Sequence, residues 1–203
     1  MFFKPTQLEF PRHGGRRKGA GRPKGDRVSH DARPAFSRPT PAHVTLRVRE
    51  DVPSLRSSRR FAVIRRGFKA LVDRSAFRLV KFSVLGNHLH LIVEADDSVA
   101  LSRGMQSLGT RLAKALNKML GREGTLFEDH YHSHLLLTPT EVVNALAYVR
   151  TNARRHYGRE IVGDYFSSEH AGWRELLAAP ATWLLNVGWK LVGRGKTKKS
   201  NSR

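Results

Sequence analysis

The chain has 203 residues, with 37 Lys or Arg against 17 Asp or Glu, a formal net charge of +20 and no cysteine. Without cysteine it can carry no disulfide, Cys-ligated zinc, iron–sulfur cluster or thiol nucleophile, which fits a reducing cytoplasm. Its pI near 11.3 makes a polyanion the default partner, ahead of a membrane surface or mere solubility.

Both ends and the middle are basic. Residues 1–41 hold ten Lys or Arg and three acids, and residues 189–203 hold six and none. The middle keeps a surplus, so a folded surface as well as tails is expected to meet phosphate. The length suits one domain. No apolar run approaches the roughly 20 residues a bilayer span needs, and Met1-Phe2-Phe3-Lys4-Pro5 has no secretory h-region, so no membrane partner is expected.

Residues 1–41 are expected to be a basic, disordered arm, because the stretch from Gly14 to Gly25 has little to bury and repels itself. Arg16, Arg17, Arg22 and Lys24 in it are candidates for DNA contact. Gly21-Arg22-Pro23 is similar to the core of an AT-hook, which lies in the minor groove of A·T-rich DNA. Ala20 stands where that motif usually has Arg, and a generic electrostatic tail explains the run as well.

The ordered domain is expected over 42–158. His43-Val44-Thr45-Leu46-Arg47-Val48-Arg49 alternates as a strand. A helix is expected from Pro53-Ser54, with Ser54 or a neighbour as N-cap and an apolar stripe from Leu55 to Val72. Its Arg59, Arg60, Arg65 and Arg66 suit either a solvated face or a DNA backbone. Phe77–Leu85 and His88–Glu94 read as a hairpin about Gly86-Asn87. A second helix runs from about Val99 to Leu120 and ends at Gly121. Residues 125–137 read as a further strand region. Thr138-Pro139-Thr140-Glu141 opens a last helix that stops at Gly158. The order β-α-β-β-α-β-α gives an α+β, ferredoxin-like βαββαβ antiparallel sheet with helices on one face, plus a C-terminal helix. Residues 159–188 are expected to form a docking segment, with Trp173, Trp183, Leu184, Leu185 and the adjoining Trp189 packing on the domain, and residues 189–203 to form a basic tail.

His88 and His90 fall two apart on one strand, so both side chains take the same face. Two neutral imidazoles there suit a divalent ion, although His-x-His alone also fits two half-exposed polar positions. Tyr148 and Asn152, at i and i+4, share one helical face. His130, His132 and His134 would share a face if their segment is a strand, where they would contact phosphate, compete for metal or simply be polar surface.

Together, Asn87-His88-Leu89-His90 after a strand and Ala147-Tyr148-Val149-Arg150-Thr151-Asn152 on the last helix resemble the HUH single-tyrosine transposases. The closest resemblance is to the REP-associated tyrosine transposases, encoded beside repetitive extragenic palindromes. The basic Gly-rich leader, Pro41-Ala42-His43-Val44-Thr45-Leu46-Arg47, Thr182-Trp183-Leu184-Leu185 and Gly188-Trp189 carry it further, over about residues 12–190. Thr151-Asn152-Ala153 departs from the family's frequent Tyr-Asn-Pro and should only straighten the helix.

The resemblance implies a bacterial, nucleoid-associated cytoplasmic enzyme that transesterifies single-stranded or hairpin DNA. Tyr148 would be the nucleophile, and His88, His90 and Asn152 would hold Mg²⁺ or Mn²⁺. Imidazole ligation argues for Mn²⁺ serving at least as well as Mg²⁺. Arg150, Arg154 and Arg155 join the first helix as candidates for the DNA backbone, giving affinity and salt dependence rather than sequence choice. Monomer and homodimer both remain open. The competing readings are a non-catalytic nucleic-acid-binding protein on the same fold, or a degenerate transposase that only binds DNA.

Overall fold

The computed structural model describes residues 34–158 and 163–192. The arm up to residue 33, and with it Arg16, Arg17, Arg22 and Lys24, lies outside the described residues, as do 159–162 and the tail from 193.

Four strands form one antiparallel sheet: β1 (Thr40–Arg47), β2 (Phe77–Val84), β3 (His88–Ala95) and β4 (His132–Leu135). Their spatial order is β2-β3-β1-β4, which is the ferredoxin-like arrangement expected. Alternation along β1 sends Ala42, Val44, Leu46 and Val48 into the main core. His43 and Thr45 therefore point to the other face. On β3, Leu89, Leu91 and Val93 join that core, whereas Ile92 belongs to a second cluster with Val142, Ala145 and Val149.

Helices α1 (Ser58–Lys69) and α2 (Ser98–Leu120) cover the first face. Helix α3 (Pro139–Tyr157) covers the opposite one. The sheet is therefore clad on both sides, and β3 is buried along nearly its whole length. This explains why its sequence lacks a simple polar–apolar alternation.

The helix ends follow capping chemistry. Ser57, not Ser54, caps α1 by accepting from the Arg60 N–H. The residues just before it stay non-helical because the Leu55 N–H donates to Gly86 O at 2.7 Å while the Leu55 side chain is fully buried. Asp97 caps α2 through the Ala100 N–H. Thr138 and Glu141 form a reciprocal capping box on α3, with Pro139 in the first turn. Gly158 ends α3 at φ 67°, a left-handed position that glycine takes without strain.

The strand expected over 125–137 shortens to β4, with a single further bridge from Phe127 to Val48. The intervening chain turns where the Asp129 carboxylate accepts from the His130 N–H.

Two expected boundaries move. Thr40 and Pro41 belong to β1 rather than to the arm, and Phe36 already packs on the core. Trp189 packs against the α3 cluster as expected, and because it opens the short helix α4 (Trp189–Leu191) the docking segment extends past residue 188. That segment is fastened by the fully buried Glu94 of β3. Its carboxylate accepts from the N–H groups of Ala181 and Thr182, at 2.6 and 2.9 Å. Upstream, the Trp173 ring lies against Phe61 with centroids 5.7 Å apart. Among the described residues no helix is long and apolar enough to cross a membrane.

Candidate active site

The tight hairpin fixes which side chains meet on the α3 face. Register places His90 directly between Thr45 of β1 and Ser83 of β2, while His88 opposes Arg47. The two imidazoles stand edge to face with centroids 4.7 Å apart. His90 Nδ1 lies 3.1 Å from Thr45 Oγ1 and 3.2 Å from His43 Nε2. His88 Nδ1 lies 2.6 Å from Asn87 Oδ1.

Helix α3 brings Tyr148 over this cluster. Its ring is edge-on to His90 at 5.0 Å and to His43 at 5.5 Å between centroids. The sheet-facing stripe Val142, Ala145, Val149 and Asn152 is buried, so packing sets the helix's rotation. The amide of Asn152, one turn beyond Tyr148, is only 1% exposed. One further turn on, the His156 ring sits 5.7 Å from that of His88.

Burial dominates the electrostatics. It pushes the His90 imidazole down to about 3, with the neighbouring His88, His43 and His156 adding to the effect. Burial, then His132 and His134, pushes His43 down to about 4. His88 is also lowered, by burial and then by His156 and Arg47. His43 and His90 are therefore neutral at pH 7, which is the form that binds cations.

The chemistry of this donor set fits a divalent ion. His90 Nε2, both amide atoms of Asn152 and Ser83 Oγ are buried without a hydrogen-bond partner. Each such orphan costs about 1–3 kcal/mol, and lone pairs on two of these side chains are what a cation would satisfy. Among the described residues no three His, Asp or Glu side chains gather closely enough to hold a metal by themselves. The buried, unpartnered amide of Asn152 is a further donor that a cation held here would use.

The other expected contacts distribute unevenly. Arg150, Arg154 and Arg155 are exposed on α3, and the Arg155 guanidinium lies 5.7 Å over the Tyr148 ring. The α1 arginines lie across the sheet from Tyr148. There Arg59 and Arg66 are exposed, Arg60 donates back to Ser54 O, and Arg65 stacks on Trp173 at 4.2 Å. His132 and His134 share the α3 face of β4, opposite Thr45 and His43. His130 falls outside the strand. His134 Nε2 lies 3.4 Å from Glu141 Oε1.

Sequence reasoning missed His43, Ser83 and His156 as members of the cluster. The two-residue turn did contain a signal for Ser83, since counting back from it pairs Ser83 with His90. His156 continues the i, i+4 spacing of Tyr148 and Asn152. The place of His43 needed the β1–β3 register, which no local pattern gives.

The family described as Transposase IS200 like matches residues 41–152, the stretch from β1 to Asn152. A Haemophilus influenzae protein assigned as a REP-associated tyrosine transposase is 26% identical over 144 residues, covering 64% of this chain and 79% of that protein. The solved structure of a REP-associated tyrosine transposase bound to a REP hairpin aligns with a TM-score of 0.58 at 16% identity. That alignment covers 76% of this chain and 93% of the other, and the likeness is one of fold.

Proposed function

The chain belongs to the IS200-like transposase family, and from that premise we propose that it cuts and rejoins single-stranded DNA through Tyr148, at hairpin or palindromic sequences. The observation that carries this reading is the convergence of the Tyr148 phenol with the His90 ring, 5.0 Å between centroids, beside the unpartnered polar atoms of His90 and Asn152. Charge supports the substrate class, since +20 on 203 residues suits a polyanion. The structural neighbour described with a REP hairpin points to hairpin DNA in particular.

In the proposed reaction the Tyr148 oxygen attacks a backbone phosphorus. A phosphotyrosine bond forms to the 5′ side and the P–O3′ bond breaks. The bonding electrons leave with O3′, which takes up a proton and departs as a free 3′-OH. The phenolic proton passes to solvent or a neighbouring base. Because one phosphodiester is exchanged for another, attack by a 3′-OH reverses the step and rejoins strands without ATP.

His88, His90 and Asn152 would hold the divalent ion, Mg²⁺ or Mn²⁺, whose role is to polarise a phosphate oxygen and stabilise transition-state charge. The chain's own residues supply position. The rings of His43 and His90 confine the phenol from the sheet side. The rigid turn between Tyr148 and Asn152 fixes nucleophile and amide relative to each other. Arg155 places positive charge beside the phenol, where phosphate would arrive.

The test is incubation of the full chain with single-stranded hairpin DNA and Mn²⁺, followed by a denaturing gel. Wild type should yield a covalent protein–DNA band. Tyr148→Phe should yield none while binding the hairpin within a few-fold of wild type. An undiminished band in Tyr148→Phe would remove Tyr148 as nucleophile. No band from either protein, with binding intact, would favour a chain that only binds DNA.

A further inference from the structure

We propose that His43 and Asn87 are positioning residues that set the tautomers of His90 and His88, so that the Nε2 of each imidazole carries the lone pair a cation would take. The proposal rests on the metal-site reading above and adds to it a defined support on two separate elements, β1 and the hairpin turn.

Asn87 gives the simpler half. Its Oδ1 can only accept, and it lies 2.6 Å from His88 Nδ1. A neutral imidazole carries one N–H, so a proton held at Nδ1 leaves Nε2 as a lone pair. The carbonyls of the turn are engaged elsewhere, since Gly86 O accepts from the Leu55 N–H at 2.7 Å and Asn87 O from the Val48 N–H at 2.8 Å.

For His90 the distances alone permit two arrangements. Nδ1 faces His43 Nε2 at 3.2 Å and Thr45 Oγ1 at 3.1 Å. If His90 carried its proton on Nε2, that N–H would be buried in a place where it meets no acceptor. A buried orphan donor is rarer in proteins than an orphan acceptor, and it would repel a cation. The proton therefore sits on Nδ1, where His43 Nε2 accepts it and the Thr45 hydroxyl supports the same bond. His43 must then hold its own proton on Nδ1. The His43 ring also abuts Tyr148 at 5.5 Å, so one side chain touches both the imidazole and the nucleophile. Partners of this kind, bonded to the far nitrogen of a ligating histidine, typically govern metal affinity by 10–100-fold.

The experiment uses the full chain with two readouts, neither of which is DNA cleavage. Long-range ¹H–¹⁵N spectra of the metal-free protein report which nitrogen of His90 and His88 is protonated. Titration with Mn²⁺, followed by electron paramagnetic resonance, reports affinity. Wild type should show the Nδ1–H tautomer at both rings. His43→Phe should shift His90 towards Nε2–H and weaken Mn²⁺ about 10-fold. His43→Gln, whose amide oxygen can accept in place of Nε2, should restore much of both, and its thermal unfolding guards against misfolding of the Phe variant. Asn87→Ala should act likewise on His88 alone. If His90→Ala loses Mn²⁺ while His43→Phe keeps wild-type tautomer and affinity, the positioning role is overturned and the metal reading stands. If His90→Ala itself binds Mn²⁺ as wild type does, the metal reading falls and takes this proposal with it.

Discussion

At the scale of single residues, the site is built from imidazoles that the fold keeps neutral. His90 is 4% exposed and pushed to about 3, and His43 is pushed to about 4, both from an ordinary value of 6.5. Unfolded chains protonate these rings near pH 6.5, whereas the folded protein does not until pH falls much further. The unfolded state then binds more protons, so stability is complete above about pH 6.5 and declines as the solution is acidified towards 4. Each ring contributes a slope of about 1.4 kcal/mol per pH unit in that window. The urea midpoint should therefore be lower at pH 5 than at pH 7, and an unchanged midpoint would contradict the burial described for these rings. His88, His90, Tyr148 and Asn152 were legible in the sequence because their spacing on one strand and one helix is local. Ser83 could be counted back from the hairpin turn, but His43 could not, because it joins the cluster only through the register of β1 on β3.

At the scale of elements, two features hold the helices in place over the sheet. Gly104 of α2 sits so near Phe77 at the start of β2 that a Cβ added there would collide with the aromatic ring. On the neighbouring helix, a Cβ at Gly67 of α1 would meet Leu112 of α2 at 2.8 Å, a contact that a flexible leucine end can relieve. Gly104→Ala should therefore destabilise the protein by about 1–3 kcal/mol, the range typical of overpacking, and Gly67→Ala by less. Chemical denaturation of both variants checks the order, and equal stabilities would contradict the close approach of α2 to β2. The helix spans themselves were readable from apolar periodicity and caps. Ser57 rather than Ser54 starts α1 because Leu55 is tied to Gly86 across the structure, a tertiary bond that overrides a good local cap. Residues 125–137 promised a longer strand than β4 because their alternation is real, but the Asp129 turn consumes part of it.

At the scale of the whole molecule, the sheet separates two basic surfaces. Tyr148, the imidazoles, Arg150, Arg154 and Arg155 belong to the α3 side, and the exposed Arg59 and Arg66 belong to the α1 side. The two core helices share one face as expected, but the face taken by α3 could not be read, because β3 has to be recognised as buried on both sides before α3 can be placed. Family membership, the ferredoxin-like order and the helix carrying Tyr148 were all readable from motif order along the chain. The proposed function requires that α3 deliver Tyr148, and no other phenol, to DNA beside His88 and His90. The most direct measurement is peptide mapping by tandem mass spectrometry of the covalent adduct formed with hairpin DNA and Mn²⁺. A nucleotide remnant on Tyr148 alone is the predicted result, and a remnant on Tyr131 or Tyr157 would contradict the account.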